Sequence, residues 1–184
     1  VLLDIGSNVD CKPQHLHQFA IMGHHFSNLV LGTQHPRLGL INIGEEEDKG
    51  NAVTQSTYDL LKHCPNLNFL GNVEGKHMMD GVADVLVCDG FVGNTILKFG
   101  EGMSSTLTQF FKEESSQSLR SKLGLLMLKP TFKRFKKKFD YDEYGGAQLL
   151  GVNGVSVIAH GSAGPVAIKN AIKYAASAAE HQVR

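Results

Sequence analysis

The sequence predicts an α/β fold built on a mostly parallel sheet. Short apolar runs ending in glycine recur along the 184 residues, and they are continuous rather than alternating, as in strands buried on both faces. Segments with helical spacing separate these runs, and such alternation places helices on both faces of a sheet.

The strand candidates are VLLDIG (1–6), RLGLINIG (37–44), LNFLGNV (67–73), ADVLVCDG (83–90) and VSVIAHG (155–161). The first reads as an interior strand, which carries an expectation of further chain upstream. It also implies an inactive, poorly stable fragment if this stretch is expressed alone, because a cut sheet exposes an unpaired edge. Residues 12–30 form the first helix candidate, with Pro13 near its start and Leu16, Phe19, Ala20, Gly23 and Phe26 on one stripe. Residues 51–63 and the alanine-rich 166–179 follow the same logic, the latter with Ile168, Ala171, Ile172 and Ala175 at helical spacing.

Residues 115–139 break the rhythm, with eight basic residues and no acid. Leu119, Leu123 and Leu126 fall at helical spacing, as do Leu128, Phe132, Phe135 and Phe139. Gly124 and Pro130 interrupt them, so the segment reads as two helical arms around an apolar tip, GLLMLKP.

Bulk properties narrow the function classes. Eighteen basic and eighteen acidic residues balance, so no bulk attraction to nucleic acid is indicated. Three scattered cysteines make no disulfide framework and fit a reduced, intracellular setting. No apolar run approaches the ~18 residues of a spanning helix.

In α/β folds ligands sit at the carboxyl ends of strands, so the loops IGSN, GEEEDKGN, GNVEG, DGFVGN and HGSAG are where chemistry is sought. In DGFVGN, Gly90 and Gly93 allow close backbone approach, and amides at a helix start can receive an anion. Asn94 there offers a donor to a carbonyl oxygen gaining charge, although an ordinary strand-to-helix turn accounts for the same residues. Glu45, Glu46 and Glu47 are consecutive and cannot easily converge on one metal ion, so a solvated loop is the better reading. Lys49 beside Gly50 is suited to a phosphate or to plain solvent. His15, His17, His24 and His25 share one helix without an HExxH pattern, and Cys88 reads as a small buried residue rather than an acyl acceptor. HGSAG is not GxSxG, and Asp80 and Asp84 make a poor metal pair because Gly81 separates them and Asp84 enters a strand.

Together, LLDIGSNVDCKP (2–13), NIGEEEDKGN (42–51), GNVEG (71–75), VCDGFVGN (87–94), YGGAQLLGVNG (144–154) and AHGSA (159–163) resemble the bacterial phosphate acyltransferase family PlsX, in order along the chain. Members are longer and carry a preceding segment with a DAMGGD phrase that is absent here. The resemblance implies a three-layer sandwich of the isocitrate/isopropylmalate dehydrogenase-like type, with residues 1–184 as the C-terminal part of one domain and 103–141 as a protruding helical hairpin. It implies acyl transfer from acyl-acyl-carrier-protein to inorganic phosphate, giving acyl phosphate for phospholipid synthesis, without metal or organic cofactor. Lys49 and Asn94 match the catalytic pair, and Asn8, Asp89, Gly90, Gly93, His160, Gly161 and Ser162 are substrate-binding candidates.

A homodimer, contact of Leu125, Leu126, Met127 and Leu128 with the inner membrane face of the cytoplasm, and a glycerol-3-phosphate acyltransferase as consumer of the product complete the expectation. Nucleic acid is not an expected partner. Two rivals stand beside it: a metal- and NAD-dependent decarboxylating dehydrogenase of the same fold, and a non-catalytic module that binds membrane or nucleic acid through the basic arm.

Overall fold

The computed structural model describes residues 1–116, 118–139 and 145–180. They fall into two units, Val1–Phe99 and Gly100–Arg184. In the first unit the elements run β1 (Leu2–Leu3), α1 (Pro13–Leu29), β2 (Arg37–Asn42), α2 (Ala52–Lys62), β3 (Asn68–Glu74), a 3-10 turn at Gly75–His77 and β4 (Val85–Val87), after which α3 (Gly90–Ser116) begins. The four strands form one parallel sheet in the order β1-β4-β2-β3.

Both faces are covered, which is why the strands read as unbroken apolar runs. On one face Leu38, Leu40, Val85 and Val87 meet Leu16 and Ala20 of α1 and Tyr58 and Leu61 of α2. On the other, Ile41, Val73, Leu86 and Cys88 meet Val92 and Ile96 at the start of α3. Helix α1 comes close because position 23 is glycine. A Cβ there would stand 2.6 Å from Val85 Cγ1 and 2.9 Å from Leu3 Cδ1. Its buried stripe is Leu16, Ala20, Gly23 and Ser27, one face of a 3.6-residue period. Helix α2 is started by Asn51, whose side chain accepts from the amides of Val53 and Thr54 at 3.0 Å, while Thr54 Oγ1 accepts from the Asn51 amide.

The pairing of β2 with β3 contains an irregularity that the sequence did not announce. Leu38 lies opposite Phe69, but Gly39 lies opposite Gly71, so Leu70 is an extra residue in β3. Gly71 has φ +110°, a conformation that glycine adopts without strain.

The second unit holds the rest of α3, then α4 (Leu119–Phe139), β5 (Ala147–Gln148), β6 (Val157–Ile158) and α5 (Pro165–Glu180). Strands β5 and β6 pair with each other, antiparallel. The run at 155–161 was expected as a further strand of the parallel sheet. Only two of its residues are strand, and Ile158 is exposed rather than covered. Helix α5 buries Ala167, Ala171 and Ala178, and Tyr174 donates from its hydroxyl to Gln148 Oε1 at 2.6 Å.

The basic segment also departs from expectation. Residues Leu125–Leu128 are not a tip between two arms: they lie inside α4, which continues through both Gly124 and Pro130. The break between helices falls earlier, after Ser116. One glycine costs a helix only about 1 kcal/mol, and proline removes one backbone donor, so the leucines on either side carry the helix past both. Leu126, Met127 and Leu128 remain 62%, 76% and 52% exposed, with Leu125 half-buried. Phe132 meets Phe111 of α3 edge-on at 5.2 Å. The side chains of Lys133, Phe135, Lys136, Lys137, Lys138 and Phe139 lie outside the described residues, as do Asp140 to Tyr144.

Arg37 opens β2 by clasping Asp84, which precedes β4. Its Nε and Nη2 donate to the carboxylate at 3.0 Å, and its backbone amide adds a third bond at 2.8 Å. The side-chain bonds from Arg37, then its amide, hold the Asp84 carboxyl below the usual range. A depressed pKa means stability that is present above the unfolded value of about 3.9 and lost as pH falls through the folded one. Asp84→Asn should therefore lower the urea midpoint at pH 7, and its gap from the native chain should close as the pH is lowered past the unfolded value of about 3.9 and through the lower folded one. A gap of constant size across that range in chemical denaturation would show that charge is not what the pair contributes.

Candidate active site

Because all four strands run the same way, the loops after β1, β4 and β2 emerge at one edge of the sheet, from neighbouring strands. The loop after β1 is organised by a residue that sequence reasoning passed over. The Asp4 carboxylate accepts from the amides of Gly6, Ser7 and Asn8 at 2.7–2.8 Å and from Asn8 Nδ2 at 2.8 Å. Burial opposes its ionisation, but the bonds from Ser7, Asn8 and Gly6 outweigh burial and hold the pKa below its ordinary value. The signal in the sequence was an aspartate followed by a glycine, a serine and an asparagine, the composition of a side-chain-stapled turn.

That turn seats the β4–α3 junction. The Gly90 amide donates to Asn8 O at 2.8 Å, and a Cβ at position 90 would stand 2.8–3.0 Å from the Asn8 backbone. A Cβ at Gly93 would run into the Asp4 carbonyl and the Cys88 sulfur. Both glycines are thus spent on backbone approach. Asp89 caps the helix, its Oδ1 accepting from the Val92 amide at 2.7 Å while its carbonyl accepts from Gly93 at 2.9 Å. The amides of Gly90, Val92 and Gly93, offered by the sequence as an anion cradle, are therefore already engaged.

Asn94 follows on the first turn of α3 and is exposed, with its side chain over Gly6. A Cβ at Gly6 would lie 3.5–3.6 Å from Asn94 Cβ, Cγ and Oδ1. Lys49 is exposed in the loop after β2, the strand next to β4. Its stem passes Gly44, where a Cβ would stand 2.7 Å from Lys49 Cγ. Its amide donates to Glu46 O at 3.2 Å. Of the three glutamates, Glu47 pairs with Lys62 at 2.8 Å on the surface.

Other candidates are accounted for differently. Asn8 contributes its side chain to the Asp4 turn. Cys88 is buried, and burial, with Asp89 and Asp4 adding negative charge, pushes its thiol up to about 12. Such a group does not supply a thiolate near neutral pH. Asp84 serves Arg37, and Asp80 Oδ2 accepts from His77 Nδ1 at 2.8 Å. In the second unit His160 Nδ1 lies 2.7 Å from Ser162 Oγ and accepts from the Ser162 amide at 3.2 Å. Its Nε2 is 3.7 Å from Glu101 Oε1. His160, Gly161 and Ser162 thus form a loop with its own internal bonding, between β6 and α5.

The family model described as "Fatty acid synthesis protein" matches residues 1–184. The curated relative named "Phosphate acyltransferase" from Thermodesulfovibrio yellowstonii is 51% identical over 183 residues, covering 100% of this chain and 53% of that relative. Those of the same name from Moorella thermoacetica and Clostridium acetobutylicum are 54% and 52% identical, covering 95% and 100% of this chain and 51% and 55% of theirs. The chain belongs to the PlsX phosphate acyltransferase family. It spans about half the length of the curated relatives it matches.

Within this family member the Gly93 seat is the tightest demand of the site loops on sequence. Gly93→Ala must displace either the Asp4 turn or α3. Overpacking of this kind typically costs about 1–3 kcal/mol. A drop of that size in chemical denaturation is expected, and an unchanged midpoint would mean that the turn and the helix are not rigidly joined.

Proposed function

We propose that the whole protein transfers a fatty acyl group from an acyl-acyl-carrier-protein thioester to inorganic phosphate. One observation carries the reading: a cation, Lys49, in the loop after β2, and an amide donor, Asn94, on the first turn of the helix after β4, follow adjacent parallel strands, and the polar groups beside them are bonded to backbone. Phosphate is a dianion near neutrality and attacks without a strong base. What the reaction needs is placement of the nucleophile and a donor for the oxyanion. Lys49 meets the phosphate and Asn94 the reacting carbonyl. A phosphate oxygen bonds to the carbonyl carbon, negative charge builds on the carbonyl oxygen, and the C–S bond then breaks to release the carrier thiolate, which takes a proton from water. The products are acyl phosphate and free carrier thiol. The high pKa of Cys88 favours this direct route over an acyl-enzyme at that thiol.

The wider expectations fit the same reading: an isocitrate dehydrogenase-like three-layer sandwich, a homodimer, and a consumer such as glycerol-3-phosphate acyltransferase for the reactive product. A second feature favours work at a membrane surface. Leu126, Met127 and Leu128 are exposed on α4 between Lys122 and Lys129, a pattern suited to shallow insertion beside anionic lipid. Among the described residues no helix is long and apolar enough to cross a membrane.

Asn94→Ala should reduce turnover by about 10²–10³-fold with the fold intact, as expected when one oxyanion donor is lost. Lys49→Ala should raise the phosphate concentration needed for half-maximal rate. Native rates in both would remove the site. Replacing Leu126 and Met127 with glutamate should release the protein from anionic vesicles while sparing transfer from soluble carrier protein. Undiminished co-sedimentation of that double variant would place the membrane contact elsewhere.

A further inference from the structure

We propose that Asn42 and Asn72 are positioning residues that clamp the loop carrying Lys49 into its working shape. This rests on the acyl-transfer reading above, in which Lys49 meets the anion.

The two amides are buried, at 9% and 8% exposure, Asn42 as the last residue of β2 and Asn72 two residues short of the end of β3. Asn42 Nδ2 donates to Asn72 Oδ1 at 3.0 Å and to the Lys49 carbonyl at 3.1 Å, while its Oδ1 accepts from the Ile43 amide at 2.9 Å. Asn72 Nδ2 donates to the Glu46 carbonyl at 2.7 Å. The loop is thereby held at both Glu46 and Lys49 by one connected network. Burying two amides is costly unless they are bonded, and a merely stable strand end is made more cheaply from apolar side chains. Here the donors are spent on loop carbonyls rather than on the sheet.

The bulge in β3 is what makes the pair possible. Past Leu70, Leu40 lies opposite Asn72 and Asn42 opposite Glu74, so both asparagines face the same side of the sheet. Without the extra residue, position 72 would fall opposite Ile41 and its amide would point to the other face. Gly71, with its positive φ, and Gly50, where a Cβ would meet Thr54 Oγ1 and lie 2.5 Å from Asn42 Oδ1, are the backbone conditions for the clamp. They give the GNVEG and KGN phrases a common physical purpose.

A double-mutant cycle in the whole protein tests this, with initial rates measured against inorganic phosphate for Asn72→Ala, Lys49→Ala and both together. Asn72→Ala alone should lower kcat/KM for phosphate by about 10–100-fold, mostly through KM, the scale of a displaced positioning group. Added to Lys49→Ala it should cost about twofold or less, because it acts through that lysine. Amide hydrogen exchange at Lys49, which donates to the clamped Glu46 carbonyl, should quicken in Asn72→Ala. Additive losses, or unchanged exchange, would overturn the clamp while leaving the Lys49 site standing. A silent Lys49→Ala would overturn the site and the clamp with it. If Asn72→Ala does not fold, Asn72→Ser, polar but too short to reach Glu46, takes its place in the cycle and the same outcomes decide.

Discussion

Val85, Val87, Leu38 and Leu40 have no water on either side of the sheet, and Leu86 and Ile41 complete the opposite face. A parallel sheet covered in this way tolerates a polar side chain only where a partner is at hand, since burying one unpaired is costly. Hydrogen-bonding groups therefore collect at the strand ends. Asp84 and Arg37 serve the amino-terminal edge, while Asp4, Asp89, Asn42 and Asn72 serve the carboxyl edge. Each of these is occupied with backbone. Lys49 and Asn94 are among the exposed side chains at the carboxyl edge, and they stand on a frame built by the occupied ones.

The parts of this arrangement that were legible in the sequence are those set by local pattern. The stripe Leu16, Ala20, Gly23 fixes α1, Asn51 fixes the start of α2, and the uninterrupted runs around Leu38–Ile41 and Val85–Val87 fix strands covered twice. What escaped depends on partners distant in the chain. Nothing within residues 67–73 reveals that Leu70 will be skipped in pairing, because the skip is defined only against β2. Likewise VSVI reads as a buried strand until its two-residue pairing with Ala147–Gln148 is seen. The leucines around Gly124 and Pro130 show the opposite error: two local breaking signals were outweighed by the helical register on both sides of them. At the site, Gly90 and Gly93 were found but read as room for an anion, whereas the room is taken by the Asp4–Asn8 turn.

That last difference bears on how the proposed acyl transfer would hold its phosphate. A helix start with free amides binds an anion through fixed dipoles. Here Asp89 has capped the helix with a carboxylate of its own, which disfavours a second negative group on the same amides. In the proposed reaction the charge of phosphate would then be met chiefly by a side chain, and Lys49 is a compact, flexible cation whose loop is nonetheless tied down at its backbone. On that proposal, a pinned backbone with a mobile side chain would give a cation able to follow the phosphate as it approaches the carbonyl. Asn94, rooted on a helix whose first turn packs tightly against Asp4, would take the opposite task in that proposal, a donor held in place. The division follows from where each residue is anchored: one on a loop held by two buried amides, the other on a helix held by two glycines.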